Sequence, residues 1–217
     1  MRILGLHASL RTFDLDLLFT ASQLKASEDP EMQAFAAATL EQRNIFTNLA
    51  KHYEDIEDLE TIAYARKRRA DSSRDTTLMS MGKFMDSLDP RIRTRIMEMS
   101  PYKIARLPLE NETQAIDDIL RRLQSLPPEH PVRVSYEARL RSENEAFSAA
   151  VEEFGDIHDK YVDARTAIHQ AKIEADSFRN DLYGDLVKKL GKKNAEDYFR
   201  KYTSTGTPSN DSDPVEA

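Results

Sequence analysis

Apolar residues recur at helical spacing along most of the chain, most regularly in its second half. Phe147, Phe154, Tyr161, Ile168, Ala175 and Leu182 fall every seven residues. Ala150, Ile157, Ala164, Ala171 and Phe178 fall every seven in the complementary position. A double row of this kind is the a/d seam of paired helices, and its many alanines predict close approach of a partner helix. From about residue 131 to 190 only Gly155 invites a stop. Unbroken, that segment is a rod of roughly 90 Å at about 1.5 Å per residue.

The first half carries a looser version of the pattern. Leu49, Ile56, Ala63 and Ala70 hold one row, Phe46 and Tyr53 begin the other, and Glu60 and Lys67 interrupt it. The stretch ADSSRDTT, residues 70–77, reads as a kink or a turn, because Ser, Asp and Thr compete for backbone hydrogen bonds. Met81, Met85 and Leu88 then resume the apolar face.

The boundaries of the helices are marked by proline, glycine and capping residues. Pro30 and Pro131 suit the first turn of the long helices, with Asp29 as a cap for the first. Ahead of each long helix the pattern predicts a short extended segment and then a shorter helix. Thr12 is the expected cap of the first short helix, and Leu15, Leu18 and Phe19 form its face. Asn111 with Gln114 forms a capping box for the second, before Ile116, Ile119, Leu120 and Leu123. Short final helices are expected after Leu88-Asp89-Pro90, carrying Ile92 and Ile96, and after Gly191, carrying Tyr198 and Phe199. Gly191 reads as a helix C-cap.

The two halves also match residue by residue at an offset of 101. Ile3 and Leu6 recur as Ile104 and Leu107, Thr12 and Asp16 as Thr113 and Asp117, and Pro30 as Pro131. Phe46, Ile56, Ala63, Ala70 and Asp75 recur as Phe147, Ile157, Ala164, Ala171 and Asp176. The chain therefore reads as two tandem helical repeats, residues 1–101 and 102–203, followed by a disordered acidic tail at 204–217. Two copies are too few for an open solenoid. The expectation is an all-α, elongated, coiled-coil-like bundle closed into one body with approximate internal two-fold symmetry. Such symmetry suggests a fused ancestral homodimer, so the chain is expected to be a monomer or a weak dimer.

Composition agrees with this class. Of 217 residues 40% are hydrophobic and 32% charged, with six glycines and no tryptophan, which favours helix over sheet. There is no cysteine, hence no disulfide, thiolate ligand or thiol nucleophile. No apolar run is long enough to span a membrane, and the opening MRILGLHASL is too short and interrupted for a secretory signal. A cytoplasmic protein without membrane association is expected.

Candidate chemistry is sparse. None of His7, His52, His130, His158 and His169 lies three residues after a Glu, as a di-iron bundle requires, and there is no phosphate-binding glycine loop or nucleophile motif. No catalytic, cofactor-binding or metal-binding residue is therefore assigned. The acidic stretches at 54–60 and 152–160, around Tyr53 and Phe154, leave a metal-dependent enzyme as one alternative. Basic clusters at 66–69, 91–95 and 188–193 leave a nucleic-acid-associated protein as another. The net charge of −7 and the lack of interleaved aromatic residues disfavour it.

The stretches ILGLHASLRTFD, YKIARLPLENETQAIDDIL and NEAFSAAVEEF resemble an uncharacterised all-helical domain-of-unknown-function family of Bacteroidota. The resemblance covers nearly the whole chain before the tail. It implies an all-helical fold and brings no activity, cofactor or catalytic residue. Members often carry a Trp before the second long helix, where this chain has HPVRVSYEA. The favoured reading is a non-catalytic structural or adaptor protein that binds a protein partner.

Overall fold

Seven helices and no strand occupy residues 4–201, the part of the chain that the computed structural model describes. Two are long, α2 (Pro30–Leu88) and α6 (Pro131–Leu190). The others are α1 (Leu10–Lys25), α3 (Pro90–Ile96), α4 (Pro101–Ile104), α5 (Leu109–Gln124) and α7 (Lys192–Glu196). The expected tail at 204–217 and the match at Ile3 lie outside the described residues. Among the described residues, no helix is long and apolar enough to cross a membrane.

The long helices run unbroken because their interiors contain no proline and only Gly82, Gly155 and Gly184, each costing about 1 kcal/mol against alanine. Residues 70–77 are helical throughout, so the chain makes no turn there. Two of their polar side chains are occupied in ways that leave the backbone ladder intact. Thr76 donates to the Ser72 carbonyl at 2.7 Å, and Ser73 donates to Glu143 of α6 at 3.2 Å.

Other boundaries differ by a turn or less, for local reasons. Ser9, and not Thr12, caps α1: its hydroxyl oxygen accepts the Thr12 N–H at 3.1 Å. The expected capping box at Asn111 lies inside α5, which starts at Leu109 behind Pro108. Pro108 takes the N-cap position with an extended ψ of 146° and no side chain caps the helix there, and Gln114 instead donates to Asp118 at 3.2 Å. Pro101–Ile104 is a helical turn where an extended segment was expected, and Tyr198 and Phe199 stand just past the end of α7. Asp29 caps α2 and Asp89 caps α3, each accepting an N–H two residues on at 2.9 Å. Gly191 ends α6 with φ of 79°, where its N–H bonds the Val187 carbonyl.

The seam between α3 and α5 is fixed by contact. Pro101 is buried against α2, and its Cγ lies 2.6 Å from where a Cβ on Gly82 would stand. Arg122 of α5 then donates to the Ile96 carbonyl at the end of α3.

The described chain divides into two units. One holds the chain up to Glu57 together with the chain from Lys160 onward; the other holds Asp58–Asp159. Each takes a part of both long helices. The first unit packs Phe13 and Leu17 of α1 against Phe46, Ala50, Ile168, Ala171 and Ala175. Leu24 continues this with Met32, Leu182, Leu186 and Phe199. In the second unit Ile116, Ile119 and Leu123 of α5 pack with Leu78, Met81 and Met85 of α2, Ile96 of α3 and Leu140 of α6. Each fully buried Leu, Ile, Met or Phe side chain among these contributes about 1.5–3 kcal/mol relative to exposure.

Burial also resets the residue matching in the short helices. Asp16 is fully buried whereas Asp117 is exposed, so the offset of 101 does not join equivalent positions there. The buried stripes Leu17, Ala21, Leu24 and Ile116, Leu120, Leu123 have the same spacing, 99 residues apart. The loop ahead of α6 is two residues longer than the loop ahead of α2.

Candidate functional site

Among the described residues, two arginines are the largest fully buried side chains, and each lies in its own unit. A guanidinium stays charged at any accessible pH, so its burial demands carboxylate partners. In the first unit Arg179 of α6 sits with its Nε 2.5 Å from Asp16 Oδ2 of α1 and its Nη1 2.7 Å from Asp176, one turn earlier on α6. Asp176 also accepts the Leu4 N–H at 3.2 Å. In the second unit Arg74 of α2 sits 2.7 Å from Glu112 of α5 and 3.1 Å from Asp71, again one turn earlier on its own helix. Its guanidinium carbon lies 3.7 Å from the centre of the Phe147 ring.

The second cluster holds more acid than base. Asp75 completes a trio with Asp71 and Glu112 whose oxygens lie within 4.8 Å of one another. Among the described residues this is the one group of carboxylates close enough to share an ion. One buried oxygen of Asp75 accepts no hydrogen bond. Burial pushes the Asp75 carboxyl above its ordinary value, and neighbouring Asp71 pushes it further. Burial likewise pushes up Glu112, against the pull of Arg74. Asn144 of α6 closes the cluster, accepting from Arg74 at 3.4 Å and donating to Asp117 at 3.3 Å. A divalent ion here competes with Arg74, whose guanidinium already supplies positive charge to two of the three carboxylates. The arrangement fits an internal ionic lock better than a metal centre.

The sequence did not lead to this cluster. The available signal was Asp71, Arg74 and Asp75 at helical spacing on one face, but the same residues read more readily as helix breakers. Glu112 is remote in sequence and joins them only through the packing of α5.

The acidic stretches that the sequence singled out are arranged otherwise. Glu54, Asp55, Asp58, Glu152, Asp156 and Asp159 are exposed. Glu60 faces His158 Nδ1 at 2.9 Å, Glu153 accepts from Arg66 at 2.7 Å, and Glu57 accepts from the Tyr53 hydroxyl at 2.9 Å. Tyr53 also meets the hydroxyl of Tyr161 at 3.4 Å, which, with burial, pushes its own hydroxyl well above the ordinary tyrosine range. His130 stands at the start of α6, where its Nδ1 accepts the Val132 N–H at 3.3 Å.

The basic clusters are partly consumed by neighbours. Lys67 lies 4.8 Å over the Phe154 ring, Arg93 pairs with Asp86 at 3.2 Å, and Lys188 pairs with Asp185 at 2.8 Å. Lys189 bridges Asp29 and Glu31. Arg68, Arg69, Arg91 and Arg95 are exposed. The 66–69 run and the start of α3 are separated by about 30 Å of α2, so those two runs make no single patch.

The second unit also has a shallow recess of about 420 Å³ between α2 and α6. Its floor is Ala70, Ala146, Ala149 and Ala150, with Arg66 and Arg69 on the α2 side and Glu143 and Glu153 on the α6 side. On α2, Ile62 and Leu59 lie one and two turns further along the same stripe, each 47% exposed. No family model matches the chain, and comparison with curated proteins and with solved structures finds no similar protein.

Proposed function

We propose that the protein is a non-catalytic, cytoplasmic scaffold or adaptor that offers its helical surface to a protein partner. The observation that carries this reading is the alanine-floored recess flanked by exposed Leu59 and Ile62. Small residues between two helices let a third backbone approach closely, and neighbouring branched apolar residues supply the area to hold it. The buried acids support the same reading, since their negative charge is spent on holding α1 and α5 to the long helices.

We further infer that the two halves arose by duplication. The matched lengths of α1 with α5 and of α2 with α6 support this, and so does the recurrence of the buried lock. In each unit an arginine pairs with an aspartate three residues earlier and with a buried acid from the short helix. Measured against the two offsets, the second lock is shifted about one turn toward the N-termini of both helices. In parallel helices an ion pair can move that way without breaking.

The test is a photoreactive amino acid at Ala149 in the native cell, with a second at exposed Asp181 as control. Protein adducts specific to position 149 are expected. Adducts at neither position, or equal labelling at both, would overturn the interaction reading.

A further inference from the structure

We propose that the exposed α2–α6 face of the second unit is a self-association surface, and that its occupant is the same face of a second copy of this chain. This rests on the interaction reading above and names the partner.

The argument is one of charge and helix direction. Within this unit α2 and α6 are antiparallel: Arg66 meets Glu153, Ser73 meets Glu143 and Ser80 meets Tyr136, so one number rises as the other falls. The recess opens on the side of α2 away from Asp75 and α5. Its two edges carry opposite charge. The α2 edge bears Arg66 and Arg69, both exposed. The α6 edge bears Glu145 and Glu152, also exposed, four residues before and three residues after Ala149 on the same stripe.

An isologous pair needs a self-complementary patch. Two such faces can meet about a two-fold axis parallel to the helices or perpendicular to them. The perpendicular arrangement sets Arg66 and Arg69 against the same arginines of the other copy, and glutamate against glutamate. The parallel arrangement sets α2 of one copy against α6 of the other, antiparallel, with Arg66 and Arg69 at the height of Glu145 and Glu152. Charge therefore selects the second geometry, an alternating four-helix layer whose centre is Leu59, Ile62 and the alanine floor. A stretch of about 15 residues on each helix is smaller than the roughly 800 Å² per partner of a standard interface. The dimer is accordingly weak and dependent on concentration. A heterologous helix would require only one edge to be matched, whereas here both edges match each other.

Light scattering and sedimentation of the full chain across a wide concentration range test the proposal. Reversible dimerisation is expected, and Ala149→Glu, a change at an exposed position, should abolish it while leaving the circular dichroism and thermal transition unchanged. Arg69→Glu and Glu152→Arg should each weaken association roughly tenfold or more. The double variant, in which every copy carries both reversals, should recover it. A chain that stays monomeric at the highest concentration, or a double variant that stays as weak as either single one, would overturn the proposal. The photoreactive probe at Ala149 separates this failure from that of the wider reading. Adducts of twice the chain mass support self-association. Adducts only with a different protein overturn it and leave the interaction reading standing.

Discussion

At the scale of single residues, stability turns on the two buried arginines. Removing one partner of a buried ion pair leaves an uncompensated charge, at a cost of about 3–5 kcal/mol. Arg179→Ala strands Asp16, and thermal denaturation should show a fall in Tm of roughly 10 °C. Replacing both with apolar residues, as in Asp16→Leu with Arg179→Met, should recover most of the loss. A single variant with unchanged Tm would show that the pair contributes nothing. Asp75 is the opposite case. Its folded carboxyl, like that of Glu112, binds a proton more tightly than the unfolded one, so ionisation costs stability at neutral pH. Lowering the pH from 7 toward the ordinary carboxylate range should therefore favour the second unit, until general acid unfolding sets in. Asp75→Asn should raise Tm by a few degrees at pH 7 and flatten this dependence. A variant less stable than the parent at pH 7 would mean that Asp75 works as a needed partner of Arg74. These groups illustrate what the sequence did not reveal. A charged residue at helical spacing looks like a solvated face until the helix that covers it is known.

At the scale of elements, the clearest contrast lies between two glycines in the long helices. Gly155 has nothing within 4 Å of the space a Cβ would take, so Gly155→Ala should stabilise by about 1 kcal/mol through backbone entropy. A Cβ at Gly82 would stand 2.6 Å from Pro101 Cγ, so the same substitution there forces the seam apart. Overpacking of this kind costs about 1–3 kcal/mol, against the same propensity gain. Denaturant titration should thus move the midpoints of the two alanine variants in opposite directions. A Gly82→Ala variant as stable as Gly155→Ala would mean that Pro101 is free to shift. The starts of α2 and α6, the Asp29 cap and the Gly191 terminus were legible in the sequence because proline, aspartate and glycine act within one turn. The continuity of 70–77 was not, because it depends on partners that reach Ser73 and Arg74 from α6 and α5. The register of α5 was hidden for a related reason. Thr113 and Asp117 repeat Thr12 and Asp16 in letters, but burial follows Leu17 and Ile116.

At the scale of the whole molecule, the division of the chain and the division of the sequence do not coincide. Each unit takes its short helix from one half of the sequence and completes its core with a long-helix segment from the other. Neither half, expressed alone, holds a complete core. The duplication proposed above would offer an escape, since one half could then pair with a second copy of itself and mimic the missing partner. The locks close that route for the first half. In such a pair the position of Arg179 is filled by Leu78, so Asp16 would be buried without its arginine. Residues 1–98 alone should accordingly show a broad, weakly cooperative thermal transition. Mixed with residues 99–217, they should form a one-to-one complex that melts cooperatively, because Asp16 then meets Arg179 and Arg74 meets Glu112. Circular dichroism and light scattering of the separate and mixed halves make the comparison. A first half that melts cooperatively by itself would show that the buried pairs do not enforce the pairing, and that the apolar seam alone suffices.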